Sequence, residues 1–153
     1  MLKELGRLCL EADGRYATES ELQFVKDYLE SVEDRVNAYE KIRNSEEQII
    51  GRVETEKRKV MPEFFEMDDY YQAICKKNMR AMLRFSAAAM LVNDLDHLRE
   101  VLLWYYTIVR AFDYEKDCDT TFRIFQDVMN IYLTVDEAEK INKAFQLHYT
   151  LLT

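Results

Sequence analysis

Glycine and proline are nearly missing from this chain, with three glycines and a single proline, Pro62, in 153 residues. A β-rich fold needs frequent turns, and those turns draw on Gly, Pro and Asn-Gly pairs. Their scarcity favours an all-α fold before any periodicity is counted. Basic residues are also in deficit, 21 Lys and Arg against 29 Asp and Glu, for a formal charge of −8. Nucleic acid is therefore excluded as the default partner, because phosphate neutralisation needs a basic surface. The same deficit argues against binding to an anionic membrane surface. No apolar run approaches the roughly 20 residues of a membrane span, and the N-terminus lacks a signal-peptide pattern.

Cysteine and histidine are scarce enough to exclude most metal chemistry. Cys9, Cys75 and Cys118 are widely spaced and fit no CxxC or zinc pattern. An odd count with no framework points to free thiols in a reducing compartment, and so to a soluble cytoplasmic protein. His97 and His148 are the only histidines, and neither belongs to an H-E-x-x-H motif. Asp94-x-x-His97 has an i, i+3 spacing, but a di-iron site needs two such motifs and further Glu residues on other helices. Asp94 is read as a helix start and His97 as a surface residue. His148 lies in a Phe/Tyr/Leu-rich segment and reads as packing rather than as an axial haem ligand. No Ser-His-Asp or Cys-His pairing and no Gly-rich phosphate loop is present. The expectation is a protein that is not an enzyme and holds no metal.

What the chain has in quantity is apolar material, 48% of the residues, including 10 Tyr and 8 Phe. At this length one domain spanning 1–153 with a substantial core is expected. Leu2, Leu5, Leu8 and Cys9 recur at helical spacing, so residues 2–12 form a short amphipathic helix. Gly14 ends it, and Thr18 with Glu21 stands in capping-box register for the next. Leu22, Val25, Leu29, Val32, Val36 and Tyr39 alternate steps of three and four, one continuous helix stripe. Asn44-Ser45 interrupts, and Ile49, Ile50 and Val53 continue on another helix. The charged run Arg52 to Lys59 reads as a solvated face. Pro62 breaks the pattern. Asp68 and Asp69 suit the start of a helix that runs to about Val92. Residues 95–112 are apolar around much of their circumference and read as the central buried helix. A break is expected at 113–117, a helix from Thr120 to Leu133, and a last helix from about Thr134, with Ile141, Phe145, Tyr149 and Leu152 pointing inward.

The most informative stretch is Tyr70 to Phe85, at the head of the long fifth segment. Cys75 is followed by Lys76 and Lys77, which would lower its pKa and favour the thiolate. Lys77 suits a ligand carboxylate. Asn78, one helical turn from Cys75, can accept ligand N–H bonds through its oxygen. Arg80 and Arg84 follow, so the helix offers cations along which an acidic ligand could be tethered. A buried cysteine acting as a small hydrophobe is the bland alternative.

Four stretches together resemble the phycobiliprotein family, the allophycocyanin and phycocyanin subunits of the phycobilisome. Ala12 to Leu22 is similar to the family's Asp, Gly-Arg-aromatic, Ser-rich cap and Glu-Leu. Cys75-Lys76-Lys77-Asn78 falls where the family has Cys, any residue, Arg or Lys, then Asp. Leu83-Arg84 and Val92-Asn93-Asp94 match the family's Leu-Arg and Ala-Gly-Asp at the same distances from that cysteine. The resemblance covers nearly the whole chain. It implies a globin-like body, about residues 21–153, preceded by N-terminal dimerisation helices, about 1–20. It also implies a bilin, an open-chain tetrapyrrole, thioether-linked at Cys75. The position of Lys77 contacts a propionate in the family, and that of Asn78 binds the pyrrole N–H groups. Asp13 and Arg15 would meet Arg84 across a subunit interface. The implied location is the cytoplasm of a cyanobacterium, peripheral to the thylakoid membrane.

The departures lie around the pigment. Asn78 replaces a carboxylate, so a charge-assisted hydrogen bond worth roughly 1.5–3 kcal/mol becomes a neutral one of about 1 kcal/mol. The family's loop ahead of the cysteine is rebuilt as Pro62 to Asp69, and two family aromatics are Ala81 and Met82 here. Three readings follow. The first is a light-harvesting phycobilisome subunit that carries a bilin on Cys75 and passes on excitation. The second is a pigment-free paralogue acting as an interaction or regulatory protein of the phycobilisome, paired with phycobiliprotein subunits or with itself. The third is a globin-like sensor of another ligand.

Overall fold

The structure, a computed structural model, describes residues 2–66 and 68–152. Among these residues there are eight α-helices, one short 3-10 helix and no strand. In chain order they are α1 (Leu2–Glu11), α2 (Glu19–Glu30), α3 (Val32–Asn44), α4 (Glu46–Val60), the 3-10 helix (Pro62–Glu66), α5 (Asp69–Val92), α6 (Leu95–Ala111), α7 (Glu115–Tyr132) and α8 (Val135–Leu152). The all-α fold read from the scarcity of Gly and Pro is the one observed. No helix among the described residues is long and apolar enough to cross a membrane.

Local chemistry explains the boundaries. At the start of α2 the Glu21 amide donates to Thr18 Oγ1 at 3.4 Å and the Thr18 amide donates to Glu21 Oε2 at 2.6 Å, the capping box expected there. Arg15 adds a hydrogen bond at 2.8 Å that, with the capping bonds, holds the Glu21 carboxyl down at about 2. Asp68 caps α5 by accepting from the Tyr71 amide at 2.8 Å. That helix ends at Asn93, whose φ of 50° is the left-handed conformation Asn tolerates at a helix C-terminus.

The continuous helix expected over Leu22 to Tyr39 is instead split at Ser31. The Ser31 hydroxyl donates back to the Tyr28 carbonyl at 3.0 Å and accepts from Arg35. Such side-chain bonds to the local backbone compete with the helical ladder. Arg35 is itself buried, donating to the Leu91 carbonyl at 3.0 Å with its guanidinium 4.2 Å from the Tyr28 ring centroid.

The central helix is α8, not α6. It packs on α3, α5, α6 and α7, and Ile141, Ala144, Phe145 and His148 are fully buried. α6 buries only one face, through Leu98, Leu102, Tyr106 and Val109, and leaves Leu103, Trp104 and Ile108 exposed. Apolar residues around a full circumference therefore did not mean burial around it. Ile141 and Phe145 point inward as expected, whereas Tyr149 is 40% exposed. The side chains of Leu2 and Leu152, like Met67, fall outside the described residues.

At the other end of the chain α2 buries no side chain, and no described side chain of α1 is buried. Leu10, Leu22 and Leu29 are exposed on this pair. The lack of buried side chains extends through α2 to Glu30.

Candidate functional site

Helix α5 aims Tyr71, Cys75, Met79 and Met82 along one face, at helical spacings of four, four and three. Opposite them α7 offers Asp117, Cys118, Thr121 and Phe122, while α6 contributes Tyr105 and Val109. Tyr114 comes from the short α6–α7 connection and Lys57 from α4. These residues, with Asn78, line a cavity of about 90 Å³.

The cavity's polar end is an ion pair. Lys57 is 1% exposed, and its Nζ lies 2.6 Å from Asp117 Oδ1. Two thiols share the space. Burial pushes the Cys75 thiol up, Asp117 adds to the effect, and Lys57 and Tyr71 only partly offset it. The deeper Cys118 is pushed up to about 12, chiefly by burial and next by Asp117. The Tyr105 hydroxyl lies 3.9 Å from Cys118 Sγ.

The activated thiolate expected beside Lys76 and Lys77 is therefore not found. Lys76 turns to Glu54 on α4, at 2.7 Å. Lys77, two residues past Cys75 and about 200° round the helix, lines a separate shallow depression with Glu47, Arg80 and Arg84. The structure brings Cys75 and Asn78 to one cavity and leaves Lys77 outside it. Arg80 and Arg84 do not stand free for an acidic ligand either. Arg80 pairs with Glu47 at 2.6 Å, and Arg84 holds both oxygens of Glu46 at 2.6 and 2.7 Å.

Lys57 and Asp117 were missed in the sequence, though both left a signal. Lys57 continues the Ile50, Val53 spacing by a further step of four, so it lies on the buried stripe rather than on the solvated face. Asp117 was assigned to a break, yet α7 begins at Glu115, because the Tyr114 carbonyl accepts from the Cys118 amide at 3.0 Å. Asp117 then lies one turn before buried Thr121.

His148 takes no part in this site. Its ring nitrogens lie 2.9 Å from Ser86 Oγ and 2.9 Å from the Tyr106 hydroxyl, and the ring stacks on Phe122 at 3.9 Å. Burial pushes its pKa down to about 3, so it is a neutral, hydrogen-bonded core residue. His97 stands exposed in the first turn of α6, its amide donating to the capping Asp94 at 3.2 Å. Among the described residues no group of three or more His, Cys, Asp or Glu could hold a metal ion.

The model of a family described as phycobilisome protein matches residues 9–150. The chain belongs to the phycobilisome protein family. No curated protein matches it. The all-α, globin-like fold is the fold of that family, whose members normally bind a bilin. The cavity at Cys75 does not fit such a group. Pockets for ligands of drug size hold about 300–1,000 Å³, and a four-ring tetrapyrrole is at least that large, against the about 90 Å³ here. Tyr71, Tyr105 and Tyr114, together with the Lys57–Asp117 pair, are among the side chains that line the cavity.

Proposed function

We propose that this phycobilisome-family chain is a pigment-free subunit that works through protein contacts, as an interaction or regulatory partner of the phycobilisome or of its phycobiliprotein subunits. The observation that carries this reading is the size of the cavity at Cys75. Two features support it. The Cys75 thiol is pushed up rather than down, which weakens it as a nucleophile for pigment attachment. Asn78 offers a neutral acceptor where the family has a carboxylate. The reading needs no catalytic residue and no metal. It suits a cytoplasmic protein held peripherally at the thylakoid by the assembly.

The contact surface is the N-terminal segment. α1 and α2 expose Leu10, Leu22 and Leu29, and no described residue covers them fully. A helix pair with an uncovered apolar side gains stability by burying it against another subunit. The family implies assembly with other phycobiliprotein subunits, so the partner is such a subunit or a second copy of this chain. Within the chain Arg15 already pairs with Glu21 and Arg84 with Glu46, so polar contacts of either residue across an interface would compete with these. Size-exclusion chromatography and pull-down with isolated phycobiliprotein subunits test the role. A defined complex is expected, and a strictly monomeric chain with no such partner contradicts it.

One observation favours the light-harvesting reading, since Cys75 and Asn78 do line the same cavity. Under that reading Cys75 carries the bilin and Asn78 faces its N–H groups, while Lys77 would have to reach a propionate from its separate depression. A thioether-linked pigment on Cys75 would decide for it.

A further inference from the structure

Two tyrosines from different parts of the fold line the Cys75 cavity. Tyr71 stands one turn before Cys75 on the same face of α5, and Tyr114 ends the α6–α7 connection. Their ring centroids are 5.8 Å apart at 58°, within the range of a packed aromatic pair. Phe112 stacks on the outer side of Tyr114 at 6.1 Å and 13°. Neither ring sits on loose backbone. The Tyr71 amide is fixed by the Asp68 cap at 2.8 Å. The Tyr114 amide donates to the Val109 carbonyl at 3.0 Å, and its carbonyl accepts from the Cys118 amide at 3.0 Å. Asp113, at a φ of 56°, makes the left-handed turn that presents Tyr114 to α5. Behind the pair, Lys57 and Asp117 tie α4 to α7 across the floor.

We infer that the Tyr71–Tyr114 pair is the barrier that sets which molecules reach the Cys75 thiol, admitting small ones and excluding large planar ones. It rests on the pigment-free reading, since it names what keeps a four-ring pigment away from the attachment position. The rings supply the bulk of the barrier and a side-chain hydrogen bond between Tyr71 and Tyr114 joins them, so removing the rings opens it more than removing only the hydroxyls.

The test is site-resolved thiol labelling of the folded protein, with iodoacetamide as the small probe and fluorescein-5-maleimide as the bulky one. Peptide mass spectrometry separates exposed Cys9, half-buried Cys75 and buried Cys118. In the unmodified protein the bulky probe is expected to react far more slowly at Cys75 than at Cys9. Tyr71→Ala/Tyr114→Ala should raise the bulky-probe rate at Cys75 by about two- to tenfold, the range that an aromatic pair is worth in an opening equilibrium. Tyr71→Phe/Tyr114→Phe, which keeps the rings and loses only the hydrogen bond between them, should raise it by less than the Ala pair. Far-UV circular dichroism and urea unfolding show whether each variant is folded, and where the double Ala variant is not, Tyr114→Ala alone, in a connection rather than a helix, decides. Bulky labelling of Cys75 as fast as Cys9 in the unmodified protein overturns the inference. So does an unchanged rate at Cys75 in the folded Ala variants. Supplying a bilin to the same set separates the two claims. Pigment on the unmodified chain sinks the pigment-free reading, while the labelling rates still judge the barrier.

Discussion

Lys57 and Asp117 give the sharpest energetic prediction. At 2.6 Å and an effective dielectric constant near 20, two unit charges attract by about 6 kcal/mol. Removing each ion from water costs several kcal/mol, so the net worth of the pair lies near zero. Breaking it is another matter. Lys57→Met leaves Asp117 facing an apolar cavity without its cation, and Asp117→Leu leaves a 1% exposed ammonium without its carboxylate. Each single variant should lose about 3–5 kcal/mol, the upper end for Asp117→Leu because Lys57 is the deeper partner. The double variant Lys57→Met/Asp117→Leu should lie within about 1 kcal/mol of the unmodified protein, or above it, because apolar side chains of similar size often replace a buried pair without loss. Urea unfolding at pH 7 measures all four proteins, with unchanged m-values showing that the transitions compare like with like. Single-variant losses below about 1 kcal/mol, or a double variant whose loss is the sum of the two, would refute the assignment of a coupled buried pair.

Two further outcomes follow from the same coordinates. His148 has a pKa near 3 when folded and about 6.5 when unfolded, so the unfolded chain binds the extra proton as pH falls between those values. Stability is then full above about 6.5 and should fall by about 2 kcal/mol on going from pH 7.5 to 5. That window lies above the range in which Glu21, Glu46 and Glu137 take up protons. Urea unfolding across it should show the loss, His148→Gln should flatten it, and an unaltered slope in that variant removes His148 as the cause. Leu5→Glu places a charge in the α1 stripe and is expected to abolish subunit pairing in size-exclusion chromatography. An unchanged elution volume would move the interface elsewhere.

The fold was legible because its punctuation is chemical. Thr18, Asp68 and Asp94 each cap the helix that their side chains advertise, and the three-four stripes mark the buried faces of α4, α5, α7 and α8, whereas α3 buries Arg35, Ala38 and Ile42 and leaves Val36 of its expected stripe exposed. Packing was harder to read, because α6 carries apolar residues on every side and only its neighbours decide which are covered. The site was legible in part for a related reason. Cys75 and Asn78 lie three residues apart, so local helical geometry brings them to one cavity. Lys77 is carried away from that cavity by the same geometry. Lys57 and Asp117 are 60 residues apart in sequence and meet only because α4 packs on α7. A lysine inside a charged run looks solvated until its phase is counted against Ile50 and Val53. The tyrosine pair over the thiol likewise needs the α6–α7 turn, whose left-handed Asp113 no periodicity foretells.

The most direct test of the pigment-free reading is production of the chain in cells supplied with a bilin. Denaturing electrophoresis with zinc-enhanced fluorescence then shows whether a tetrapyrrole is covalently attached. The expected result is a colourless protein with no fluorescent band, identical to Cys75→Ala. A fluorescent band in the unmodified chain that disappears in Cys75→Ala would contradict it and establish Cys75 as the attachment site.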